Sequence, residues 1–248
     1  YKKARKGKNN KKEVLLFTYN LENELIRLHE ELINGIYKIC EYRNFVIFEP
    51  KKREISALPF RDRVVQHAIC NFIEPIFEKS FIYDSYACRK NKGTHAGIKR
   101  LRAFLRKGNF YILKCDIKKY FPSINHVILK QIIRKKIADK RLLLYLDNII
   151  DSSGEKGIAI GNLTSQLFAN IYLNEFDKYT KHELKVKCYL RYMDDFILLG
   201  KKEDLILFKE EIIKYLKLLK LEIHERKSSI FPDYLGVGVR GIFRVGLL

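Results

Sequence analysis

Apolar residues recur every three to four positions across residues 14–35, at Leu21, Leu25, Leu28 and Leu32, with Glu and Arg between them and Asn34-Gly35 at the close. That spacing predicts an amphipathic helix. Residues 42–58 switch to aromatic and β-branched content around Pro50-Lys51-Lys52-Arg53, which predicts a hairpin. Its Tyr42, Phe45 and Phe48 are expected to pack in a core rather than to stack on bases. Helical spacing returns over 61–79, residues 80–97 read as a loop, and a basic helix follows to about Lys107. Tyr111-Ile112-Leu113-Lys114-Cys115-Asp116 has the pattern of a buried strand ending on an acid. A helix of a dozen residues or more is expected after Pro122-Ser123, and another over 163–184, behind a glycine-rich stretch at 154–161. Residues 187–199 form the best hairpin candidate, 203–220 another amphipathic helix, and the remainder short strands. Strands and helices alternate without a βαβ rhythm, so the expected class is α+β around an antiparallel sheet.

Charge changes this picture from a fold to a function class. Lys and Arg number 49 against 29 Asp and Glu, a surplus of 49 − 29 = +20. A folded domain with that surplus calls for a polyanionic partner, nucleic acid ahead of an anionic membrane surface, because no strongly amphipathic basic helix stands out. A charged surface kept for solubility is the alternative. Residues 1–12 (YKKARKGKNNKK) are expected to form a basic arm that orders only on phosphate. No apolar h-region follows them and no run of 18 apolar residues occurs, so neither a secretory signal nor a membrane span is expected. The cysteines (Cys40, Cys70, Cys88, Cys115, Cys188) are odd in number and never spaced C-x-x-C, which argues against a disulfide frame or zinc site and fits a reducing compartment. Met193 is the only methionine, so the sequence is expected to begin inside a longer chain.

The candidate chemistry is carboxylate chemistry. Asp194 and Asp195 sit in the apolar run Tyr189-Leu190-Arg191-Tyr192-Met193-Asp194-Asp195-Phe196-Ile197-Leu198-Leu199. Two adjacent carboxylates amid such surface are costly to bury unpaired. A divalent cation removes that cost, and hard oxygen ligands suit Mg²⁺. Asp116 supplies a third carboxylate, and neighbouring antiparallel strands would gather all three for two-metal phosphoryl transfer. Taken alone, the Asp pair is also what an ordinary hairpin turn contains.

Seven motifs in chain order lift that ambiguity. Tyr192-Met193-Asp194-Asp195 resembles the active-site hairpin of reverse transcriptases, and Asp116-Ile117-Lys118-Lys119-Tyr120-Phe121 resembles their first palm motif. Gly161-Asn162-Leu163-Thr164-Ser165-Gln166 resembles the next motif, Lys227 the motif lysine beyond the hairpin, and Tyr234-Leu235-Gly236-Val237 the primer-grip turn. Arg61-Asp62-Arg63-Val64-Val65-Gln66 and Tyr86-Ala87-Cys88-Arg89 resemble fingers motifs of bacterial, group II intron-like enzymes. The resemblance implies a right-hand polymerase with residues 1–35 as basic arm and helix, 36–110 as fingers, 111–124 as palm, 125–156 as a connection and 157–235 as palm. Residues 236–248 would begin a thumb that is largely absent, and weak primer–template grip is expected from that.

The same resemblance implies roles. Asp116, Asp194 and Asp195 would hold two Mg²⁺ ions, with Mn²⁺ as a substitute, and Lys227 would protonate or neutralise the departing pyrophosphate. Phe121 would exclude a 2′-hydroxyl. Lys51 and Arg53, with Lys52 as a replacement for either, would clamp the triphosphate. Ile117, Ile160, Gly161 and Gln166 would line the dNTP pocket, Gln166 facing the template base or merely packing. Arg63 and Arg89 would touch template phosphates or pair with acids inside the fingers, while Tyr192, Met193, Leu235 and Gly236 would meet nucleic acid. The partners implied are an RNA template, a DNA or RNA primer, dNTPs and a small basic accessory protein, in the bacterial cytoplasm or from a phage. Most reverse transcriptases carry Q-G-x-x-x-S-P in the second palm motif; Ile160-Gly161-Asn162-Leu163-Thr164-Ser165-Gln166 resembles the form found in diversity-generating retroelements. Ile cannot make the hydrogen bond that Gln makes to a nucleotide, and a lost buried contact of ~1–3 kcal/mol loosens discrimination roughly 5- to 150-fold. A group II-like, retron or phage-defence enzyme and a non-catalytic, maturase-like RNA-binding protein are the alternatives.

Overall fold

A computed structural model describes residues 1–48, 52–108 and 110–232. In chain order the helices are α1 (Lys2–Arg5), α2 (Lys12–Tyr19), α3 (Leu21–Ile33), α4 (Phe60–Glu78), α5 (Thr94–Leu105), α6 (Tyr120–Ser123), α7 (His126–Arg134), α8 (Lys140–Asp151), α9 (Leu163–Lys178) and α10 (Lys202–Leu218). The strands are β1 (Arg43–Ile47), β2 (Arg53–Ala57), β3 (Tyr111–Asp116), β4 (Cys188–Tyr192), β5 (Asp195–Gly200) and β6 (Ser229–Pro232). They make an antiparallel pair, β1-β2, and an antiparallel four-stranded sheet ordered β4-β5-β3-β6. The α+β class expected from the sequence is the one observed.

The sheet sits on α9, whose sixteen residues are mostly buried, and on α10. Phe176 of α9 lies edge-on to Phe196 of β5 with centroids 5.0 Å apart, and Phe168, Ile171, Tyr172 and Leu173 are fully buried in the same core. Because β5 is central, four of its residues in succession, Phe196 to Leu199, are buried on both faces. That explains an unbroken apolar run in place of alternation.

Four expectations need correcting. The basic arm is folded: the Tyr1 ring stacks on Phe17 and meets Phe60 edge-on, and Ala4 is buried, so two apolar residues anchor a tract whose lysines, the half-buried Lys8 apart, stay exposed. The 14–35 helix breaks at Asn20, whose backbone (φ −112°, ψ 36°) leaves the helical region, in keeping with the preference of Asn for turns and caps. The helix after Ser123 is two helices, because Asn125 and Asp139 each cap a new start by accepting from Ile128 N and Leu142 N. Phe45 and Phe48 are 46% and 73% exposed, not core: every residue of β1 is exposed, so neither face of that strand is covered. Lys51, Leu235, Gly236 and the thumb connection lie outside the described residues.

Candidate active site

Asp116 ends β3 directly opposite Asp195, the first residue of β5, so their side chains leave the sheet on one face. Asp194 occupies the two-residue turn of the β4–β5 hairpin, closed by the Tyr192–Asp195 pair, and its carbonyl accepts from Ile117 N at 3.3 Å. Met193 takes the other turn position with φ 56°, a left-handed geometry that tight hairpins require. The opposite edge of Asp116 is held too: its carbonyl accepts from His224 N at 2.7 Å, and its N–H meets Ser228 Oγ at 3.4 Å. Lys227 lies on the Asp116 carboxylate, Nζ to Oδ2 2.9 Å.

The three acids repel one another in a poorly solvated place. Burial, then the charges of Asp194 and Asp116, push Asp195 up to about 6. Burial likewise raises Asp194, as does Asp116, against the opposing pull of Lys227 and of Arg53 from β2. Such a site favours added positive charge. No three His, Cys, Asp or Glu side chains among the described residues converge as a ready-made ion cage. The donor set itself fits a hard divalent cation: carboxylate oxygens from adjoining backbone positions, with mutual repulsion that a cation would reverse.

Beneath the turn lies a network that the motifs do not reveal. Arg191 is 0% exposed, and burial alone would lower its pKa; the Asp177 carboxylate more than reverses that. Its Nε and Nη2 donate to the two Asp177 oxygens at 2.8 and 2.7 Å, a bidentate pair to which Tyr189 OH adds a third bond. The remaining donors reach Asn170 Oδ1 at 3.1 Å, Ser85 Oγ at 3.1 Å and, in the active-site turn, the Met193 carbonyl at 2.9 Å. One guanidinium thus ties α9, the 84–87 segment and the turn together. The signal was present in the sequence as a lone Arg in an apolar strand and as Asn170 and Asp177 seven residues apart on one helix face.

The other candidate residues fall into three groups. Ser56 N donates to the Ile160 carbonyl at 2.9 Å, so β2 docks on the second palm motif. Gly161 (φ 123°) permits this approach, since a Cβ there would meet Ile55 Cγ2 at 3.0 Å and Ser56 O at 3.1 Å. Gly161 and Gln166 line a cavity of about 180 Å³ whose facing wall carries Lys8, Arg63 and His67. Predicted nucleotide and template residues therefore share one recess. Phe121 is half-buried, edge-on to Tyr120, and its carbonyl accepts from Ile158 N. The side chains of Ile117 and Arg89 are both engaged within the fold. The Ile117 side chain is in the core, leaving its backbone to face the site. Arg89 grips Glu78 and the carbonyls of Ile82 and Ser85, the pairing alternative rather than a free phosphate contact.

No helix among the described residues is long and apolar enough to cross a membrane. Protein YkfC of Escherichia coli (strain K12) is 28% identical over 258 residues, covering 84% of this chain and 67% of that protein. The group II intron-encoded protein LtrA of Lactococcus lactis is 28% identical over 178 residues, covering 67% of this chain and 29% of its own. In three dimensions, telomerase from Candida tropicalis, solved with a fragment of telomeric RNA, superposes with a TM-score of 0.61 at 12% identity, over 88% of this chain and 48% of that one. Residues 48–239 match the family model of reverse transcriptases, the RNA-dependent DNA polymerases, and the chain belongs to that family.

Proposed function

We propose that this chain extends a primer 3′-hydroxyl with dNTPs on an RNA template. The observation that carries the reading is the register of Asp116 opposite Asp195, with Asp194 in the adjoining turn. In the reaction the 3′-oxygen bonds to the α-phosphorus and the α,β-phosphoanhydride breaks. Pyrophosphate leaves with the bonding electrons, and the hydroxyl proton passes to water. Asp116, Asp194 and Asp195 would hold Mg²⁺, which when bound lowers the pKa of the attacking hydroxyl and steadies the triphosphate. Arg53 approaches the acids from β2 and would clamp the triphosphate from the fingers side, where Lys51 or Lys52 would assist. Lys227 would neutralise pyrophosphate as it departs. Ile160, Gly161 and Phe121 would shape the nucleotide pocket, with Gln166 and Arg63 on the template side.

The subtype we infer is a diversity-generating retroelement enzyme, error-prone opposite template adenine and working with a small basic accessory protein. Ile160 and Gln166 in the second palm motif support it. The likeness to LtrA favours a second reading, a group II intron-type enzyme. Primer extension on defined RNA and DNA templates, with products sequenced, tests both. The expected result is RNA-templated synthesis that falls by about 10²–10³-fold or more in Asp194→Asn, with errors gathered opposite adenine. Accurate synthesis would favour the group II type, and no synthesis would leave an RNA-binding protein.

A further inference from the structure

On the edge of Asp116 away from the hairpin, the chain opens into a cavity of about 450 Å³. Lys118, Lys119, Lys156 and Lys220 line it against a single acid, Glu222, a local balance of 4 − 1 = +3. The Glu222 side chain is 72% exposed and, among the described residues, its one ion pair is with Lys118, at 3.3 Å. No ion pair or side-chain hydrogen bond engages Lys119, Lys156 or Lys220 among the described residues. The walls are firm. Lys118 N donates to the Glu222 carbonyl at 2.8 Å, which fixes the cavity one register step from Asp116. Lys156 precedes Gly157, whose N–H donates to the Ile124 carbonyl at 2.8 Å.

Two of the lysines stand where glycine would be more stable. Lys119 has φ 47° and ψ 48°, and Lys220 has φ 55°. Lys220 follows the last turn of α10, where Lys220 N bonds to the Lys217 carbonyl and Leu221 N to the Leu216 carbonyl. That pattern is a Schellman motif, whose left-handed position glycine prefers. The left-handed region crowds a Cβ against the following carbonyl oxygen, which glycine avoids. Fold stability therefore does not account for lysine at either place, and both ammonium groups line the same cavity.

We propose that this basin binds a condensed-phosphate chain, inorganic pyrophosphate above all. Its physiological source rests on the polymerase reading, because nucleotidyl transfer releases pyrophosphate beside Asp116. Binding itself does not, so the two can be tested apart. Isothermal titration of the whole chain with sodium pyrophosphate in EDTA removes any route through a metal at the acids. The Lys119→Gly/Lys220→Gly variant suits the left-handed backbone, so its melting temperature is expected to hold or rise. Its Kd for pyrophosphate should increase at least about tenfold, and Lys156→Gln should raise it by a smaller factor. Unchanged pyrophosphate affinity in the glycine variant overturns the proposal. So does loss of affinity for a single-stranded oligonucleotide without loss of pyrophosphate binding, which would make the basin a nucleic-acid backbone contact. Equal competition by sulfate overturns it as well, reducing the basin to general cationic surface. If primer extension fails while pyrophosphate binding still depends on these lysines, the basin stands and the polymerase reading falls.

Discussion

The two hairpins of this protein are built on opposite principles. In β4–β5 nearly every side chain is buried, the turn and the strand residue after it carry adjacent carboxylates, and a fully buried guanidinium bonds to the turn. In β1–β2 all five residues of the first strand are exposed, and the described contacts to the rest of the chain run through Ser56 on the Ile160 carbonyl and the Tyr42 hydroxyl on Ser152 and Asn162. Both present charge to the same place: the acids come from the buried hairpin, and Arg53, whose field reaches Asp194, from the exposed one. Groups that must hold mutually repelling acids need a preorganised frame. A cation that meets a diffusing triphosphate does not. The contrast predicts that damage to the buried β4–β5 hairpin shows in folding and rate together, and damage to the exposed β1–β2 hairpin in substrate affinity alone.

The largest effect is expected at Arg191. Arg191→Met leaves the Asp177 carboxylate buried without its counter-charge, a change that costs about 3–5 kcal/mol. That is a large share of the 5–15 kcal/mol typical of a domain. Urea denaturation should show it as a lower midpoint. Arg191→Met/Asp177→Leu removes both charges and should recover part of that stability. Primer extension should remain about tenfold or more below wild type in the double variant, because the Met193 carbonyl and Asn170 still lack their donor. Full recovery of rate along with stability would reduce the network to packing.

That network also marks where sequence reading stops. The acids, their strands and the hairpin between residues 187 and 199 were legible because chemistry and periodicity coincide there: an apolar run interrupted by adjacent carboxylates has few explanations. Arg191 lies within the same apolar run, but its role is not legible there, since its partners are 14 and 21 residues away on α9 and 106 away at Ser85. Pairing at that distance is a property of the fold. The exposure of Phe45 and Phe48 was illegible for a related reason: alternation predicts a strand but cannot say whether another layer covers it. The folding of the first twelve residues turned on Tyr1 and Ala4, two apolar side chains that the charge of their neighbours outweighed in composition but not in packing.

A smaller effect, of opposite sign, is expected at Asp195. Its carboxyl is displaced upward to about 6 by burial and by Asp194 and Asp116, with Lys114 and Lys227 opposing. A folded-state pKa above the unfolded value means that ionisation destabilises the fold. The penalty is absent below about pH 4, grows between about pH 4 and 6, and is fully present above. Asp195→Asn should therefore stabilise the metal-free protein by about 1–3 kcal/mol at pH 7 and by almost nothing at pH 4. Urea titrations across that range check the slope. Mg²⁺ added at pH 7 should raise the melting temperature of wild type more than that of the variant, because binding to the folded state alone is stabilising. A variant no more stable at pH 7 than wild type would mean that the acids do not repel one another as their placement implies.

The smallest change in stability is expected on the exposed hairpin, and it separates the two principles most cleanly. Arg53 begins β2 with an exposed side chain, and its pairing across the ladder with Ile47 is through the backbone. Arg53→Ala leaves those backbone bonds in place and removes no buried contact, so the melting midpoint should move by no more than about 0.5 kcal/mol in free energy. What it removes is a guanidinium able to take two phosphate oxygens at once. Steady-state primer extension should then show KM for dNTP rising about three- to tenfold with kcat nearly unchanged, the pattern of lost uniform binding. Arg53→Lys should recover only part of the affinity, since an ammonium keeps the charge and loses the fork. A fall in kcat with KM unchanged would place Arg53 with the acids as part of the preorganised frame, and the division between a fixed hairpin and a substrate-gripping one would fail at that residue.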